Sequence, residues 1–106
     1  MKWEDIGDFS DGMAMVRLNK KYGFIDADGR QVGEVRWDTV NPFSNGYAAV
    51  RENGRWGFID KTNTLVIPCQ YAEVNAFDAE GNCDVKKTDG TWVVINTKGE
   101  DAFFGK

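Results

Sequence analysis

The groups able to do chemistry in this 106-residue chain are carboxylates, two thiols, and aromatic rings with cations near them. There is no His, which excludes a Ser-His or Cys-His nucleophile pair and any His-bearing metal site. Cys69 and Cys83 form no C-x-x-C pair and cannot supply four zinc ligands. With no export signal visible after Met1-Lys2-Trp3, they are expected to be reduced thiols of a cytoplasmic protein, a disulfide between them being the lesser alternative. Asp26-Ala27-Asp28-Gly29 has the look of a calcium-loop fragment. Trp37 stands where such a loop needs its Glu, so a hairpin turn is expected instead. Seventeen acids in a small domain produce close carboxylate pairs by accident, and Asp26 and Asp60 match each other in repeat phase, which points to a role in the turn that follows each. No catalytic residue, metal or cofactor is expected.

The elements that position these groups come from a repeat. Phe9, Phe43 and Phe77 are spaced by 34 residues, as are Trp3, Trp37 and Tyr71, and Ile6, Val40 and Val74. Segments 9–42 and 43–76 align without gaps at 14 identities, among them Val16/Val50, Arg17/Arg51, Gly23/Gly57, Phe24/Phe58, Asp26/Asp60 and Val32/Val66. A degenerate third copy spans 77–106, with one residue inserted before Val85 and another between Val85 and Trp92. Segment 1–8 matches the last part of a unit. It either completes the third copy in a closed barrel or toroid, or simply begins an open solenoid.

Within the second copy, Tyr47–Arg51 and Trp56–Asp60 flank Asn53-Gly54, a type I′ hairpin signal. Leu65–Ile67 supplies a third strand, which Pro68 ends or places on an edge, with a turn or 3₁₀ turn over Cys69–Ala72. Apolar spacing of period 3.6 is absent. The expectation is an all-β domain of three short antiparallel meanders. The turn predicts Glu52 opposite Arg55, Arg51 opposite Trp56 and Val50 opposite Gly57, with Ala48, Val50 and Ile59 on one face and Tyr47, Ala49 and Phe58 on the other. The same logic sets Arg17 beside Tyr22 and, through a three-residue tip at Thr88-Asp89-Gly90, Lys86 beside Trp92. Gly23 and Gly57 leave gaps for a close neighbour, for which the rings Trp3, Trp37 and Tyr71 are candidates.

The element Arg55-Trp56-Gly57-Phe58-Ile59-Asp60, followed by Val66-Ile67-Pro68, Tyr71, Val74 and Phe77-x-x-x-Gly81, resembles the WG (KWG) repeat over almost the whole chain. Copy one has Tyr22 for the Trp, and copy three has Trp92-Val93 for Trp-Gly. The resemblance implies a β-rich tandem-repeat protein of bacterial or phage-related origin, with an interaction role and no shared catalytic residues.

One domain over 1–106 is therefore expected, acting as a non-catalytic binding protein that recognises another protein through its repeats. A small inhibitor or immunity-type protein is a narrower version, and a glycan- or small-anion-binding module a further alternative. Rings in repeat phase are expected mainly as packing between units, but Trp37 and Tyr71 are also candidate binding residues. Arg17, Arg51 and Lys86 are candidate anion ligands if the fold closes, or solvated strand charges if it does not. The net charge of −4 disfavours a nucleic acid and favours a basic protein partner. No apolar run is long enough to cross a bilayer. Exposed strand edges leave monomer and dimer both open. Phe103 and Phe104 are expected to pack against the first segment.

Overall fold

A computed structural model describes residues 3–100. Phe103 and Phe104 lie outside them. The described chain forms eleven strands: β1 (Asp5–Ile6), β2 (Met13–Leu18), β3 (Lys21–Asp26), β4 (Gln31–Trp37), β5 (Thr39–Val40), β6 (Tyr47–Glu52), β7 (Arg55–Asp60), β8 (Leu65–Tyr71), β9 (Glu73–Val74), β10 (Asn82–Lys86) and β11 (Trp92–Asn96). They make three antiparallel sheets, ordered β1-β2-β3-β4, β5-β6-β7-β8 and β11-β10-β9. Among the described residues no helix is long and apolar enough to cross a membrane.

Turn chemistry sets the register. Asn53 and Gly54 have φ of 57° and 80°, the two positive values a type I′ turn requires, and they bring Arg51 opposite Trp56 and Val50 opposite Gly57 as expected. Both insertions of the third copy sit at hairpin tips. Gly81 and Gly90, with φ of 84° and 93°, close three-residue loops where the earlier copies use two-residue turns. The inserted residues are thereby absorbed, and Asp84 still faces Val94 and Lys86 still faces Trp92.

The sheets stack face to face. Met13, Phe24 and Trp37 of the first pack on Phe43, Ala48, Val50 and Ile59 of the second. Ala49, Phe58, Ile67 and Tyr71 of the second pack on Phe77, Cys83, Val85 and Ile95 of the third. The middle sheet is thus buried on both faces, which explains the apolar residues at both parities of β6 and β7. The stack is open: Glu4 donates its backbone N–H to the Arg17 carbonyl (2.8 Å) and Gly7 to that of Met15 (2.9 Å), so the first segment completes its own sheet and not the last. The principal extents, 50 × 26 × 19 Å, fit an open stack.

Three sequence expectations change. Each of the first two sheets has four strands and not three, because the chain hops to the next sheet one residue after the ring, where Asp38 and Ala72 donate to the carbonyls of Arg51 and Lys86. Cys69–Tyr71 is strand and not a turn: β8 runs through Pro68, which an edge strand tolerates because its N–H side needs no ladder partner. Val32 and Val66, aligned in the repeat, differ in register: Val32 lies opposite Phe24 but Ile67 lies opposite Phe58, because β8 carries an irregularity that β4 does not. The gaps at Gly23 and Gly57 are filled by backbone and not by rings. A Cβ on Gly57 would lie 2.4 Å from the Ile67 carbonyl oxygen, and one on Gly23 3.0 Å from the Val35 Cα.

Candidate interaction surface

The candidate acidic groups are occupied in shaping turns. Asp26 Oδ1 accepts the backbone N–H of Asp28 (2.9 Å) and Arg30 (3.0 Å). Asp60 Oδ1 accepts those of Thr62 and Thr64, and Asn96 those of Lys98 and Glu100. The calcium-like Asp26–Gly29 segment is a turn of this kind. The Thr62 hydroxyl, also bonded to Asp60, is the leading cause that holds the Asp60 carboxyl below its usual 3.8. A depressed carboxyl stabilises the fold above the unfolded value and loses that contribution as pH falls through the folded one. Stability is therefore expected to decline below pH 3.8 in the wild type and less steeply in Asp60→Asn, as read by urea midpoints across a pH series.

Both thiols are free. Cys83 is buried and donates to the Asn75 carbonyl at 3.0 Å, and burial pushes its pKa from 9.0 to about 11. Burial also raises Cys69. Neither is an activated nucleophile. Iodoacetamide at pH 8 is expected to leave Cys83 unmodified in folded protein and to label it in urea, with mass spectrometry as the readout. The fold should lose stability from pH 9 toward 11, because the unfolded chain gives up this proton first.

Trp37 and Tyr71, candidates for binding, are 1% and 6% exposed and lie between sheets. Their rings pack on the neighbouring strands as repeat-phase spacing predicts. The face of Trp37 carries Arg36, whose Cζ is 4.2 Å from the ring centroid and which also pairs with Glu52 (3.4 Å). Sequence reading missed Arg36, whose repeat-phase counterparts are Lys2 and Gln70. Arg17 and Lys86 face acids on the short neighbouring strand, Asp5 (3.7 Å) and Glu73 (3.6 Å), while Arg51 faces Thr39. In the open stack each of these three cations stands on its own sheet beside the short strand.

The surface that the described residues leave uncovered lies elsewhere. A cavity of about 320 Å³ beside the first sheet is lined by Gly7, Asp8, Ser10, Met13 and Met15 on one side and by Val40 and Pro42 on the other. The equivalent place on the third sheet is a groove of about 460 Å³ lined by Asn75, Ala76, Asp78, Glu80, Asn82, Cys83, Asp84 and Val94. Met13 and Tyr47 become Asn82 in the same register, Met15 and Ala49 become Asp84, and Phe24 and Phe58 become Val94. On the first two sheets this face receives the next unit's Phe: the Phe24–Phe43 centroids are 4.7 Å apart and the Phe58–Phe77 centroids 4.6 Å. The third copy's substitutions were visible in the sequence once its two insertions were placed, but only stacking shows that they share one groove.

The repeat, its three sheets and its Trp-Gly motif agree with a family model described as WG containing repeat, which matches residues 1–22, 22–56 and 56–92. The chain belongs to the WG-repeat family. No curated protein and no solved structure matches it. The boundaries of the family matches fall at Tyr22, Trp56 and Trp92, the residues that follow each hairpin tip. In this WG-repeat protein the Trp of the motif is a position on the β3-type strand, whereas the Gly after it is what lets the bulged edge strand close in.

Proposed function

We propose that this WG-repeat protein is a non-catalytic binding protein that recognises another protein through its repeat surface. The observation that supports it is the groove on the third sheet, which none of the described residues covers, whereas the next unit's Phe docks on the equivalent face of the other two sheets. The carboxylates that cap turns and the protonated thiols leave little for catalysis. Operation in a reducing compartment fits the two free thiols. A glycan platform has less support, since Trp37 and Tyr71 lie inside the stack. An inhibitor or immunity-type role is one form of the same binding activity.

The test is affinity capture with the full chain, followed by titration calorimetry with the purified partner. One protein binding at a fixed stoichiometry is expected. The reading is overturned if nothing binds stoichiometrically while the purified chain turns over a substrate.

A further inference from the structure

Building on protein recognition as the function, we infer that the outer face of the third sheet docks an extended basic segment of the partner, with a Lys or Arg side chain seated where a further repeat would insert its Phe. Three observations carry this. The groove is the repeat-phase equivalent of the place where Phe43 and Phe77 dock, so its shape suits a chain segment running across the sheet end. Val94 replaces the phenyl ring of Phe24 and Phe58, leaving an apolar floor with room for an aliphatic stem. Asp84 replaces Met15 and Ala49 at the centre of the face, with Asp78 and Glu80 on the rim, so a cationic head group meets carboxylates there.

The same substitutions select against a second copy of this chain. Stacking another unit would bring Phe9 onto Asp84 and bury an unpaired carboxylate, which disfavours that association. A basic segment instead neutralises it. The cation on the same strand face, Lys86, is two residues along from Asp84 and is held by Glu73 at 3.6 Å, so it leaves the acidic end of the groove open. The Asp78 carboxylate keeps one oxygen on the Glu80 and Asn82 backbone N–H groups.

The experiment is a ¹⁵N-amide titration of the full chain with a blocked eight-residue peptide alternating Lys and Ala, and with its Glu-Ala counterpart. The Lys peptide is expected to shift the amides of Asn75, Asn82, Asp84 and Val94 saturably, and to bind about tenfold more weakly to Asp84→Lys and to Glu80→Lys. Both changes are at exposed positions, and a dispersed spectrum verifies their folding. Affinity should also fall as NaCl is raised. Shifts scattered over the whole surface, equal response to the Glu peptide, or unchanged affinity in both variants would overturn the site. A partner captured equally by wild type and Asp84→Lys overturns the site and leaves protein recognition standing. A wild-type chain that captures no partner while it turns over a substrate overturns recognition itself.

Discussion

Gly57→Ala is expected to destabilise the protein by about 3 kcal/mol or more. An added Cβ at Gly57 would sit 2.4 Å from the Ile67 carbonyl oxygen, 2.8 Å from the Cys69 nitrogen and 2.8 Å from the Pro68 carbonyl carbon. All three are backbone atoms of β8, so no side chain can swing aside and the strand must move. That strand carries Ile67 and Tyr71 into the interface with the third sheet, so the displacement spreads into the core. For a domain of this size the change corresponds to a fall in Tm of about 12 °C or more. Gly23→Ala should cost less, because the nearest backbone atoms there, the Val35 Cα at 3.0 Å and the Glu34 oxygen at 3.3 Å, lie farther off than those of β8 at Gly57. Gly54→Ala should cost about 1–2 kcal/mol from its φ of 80° alone, since nothing lies within 4 Å of an added Cβ there. Urea unfolding of the three variants checks the order. Equal losses at positions 57 and 54 would show that close approach is not what the Gly of the motif provides.

Phe43→Ala and Phe77→Ala are each expected to cost about 3–5 kcal/mol, whereas Phe9→Ala should cost under ~1 kcal/mol. The three residues hold the same place in the repeat. Phe43 and Phe77 are 1% and 2% exposed and Phe9 is 52% exposed. Phe43 meets Phe24 edge-on at an interplanar angle of 76°, and Phe77 lies against both Phe58 and Tyr47. In a stack each unit touches only its neighbours, so loss of Phe77 weakens the join between the second and third sheets more than the first sheet. Amide exchange should accordingly rise in β10 and β11 of Phe77→Ala and stay slow in β2 and β3. Uniform acceleration across all sheets would show that the stack unfolds as one unit.

The register of each hairpin was legible because a type I′ turn leaves one pairing open to it, and alternation along the strand then places every side chain. Arg51 opposite Trp56, and Lys86 opposite Trp92 past an inserted residue, follow from Asn53-Gly54 and Gly90 alone. The partner of Gly57 was not legible. A Gly in a strand shows that something comes close, but whether that is a ring or a bulged backbone depends on the path of β8, which departs from regular pairing between Ile67 and Tyr71, opposite Gly57. The groove on the third sheet was half legible: Asn82, Asp84 and Val94 could be aligned with the apolar residues they replace, yet their joint exposure depends on which sheet ends the described stack.

By itself the sequence determined that there are three units, that each is a meander, and which residues share a face, since these depend on spacing and on turn residues within a few positions of one another. Only the tertiary structure decided that the units stack openly, that Trp37 and Tyr71 lie inside, and that Phe43 is buried where Phe9 is exposed. Those outcomes depend on what lies across the face of a sheet, and a periodic sequence repeats the same residue at each position whether or not a neighbour is there to cover it.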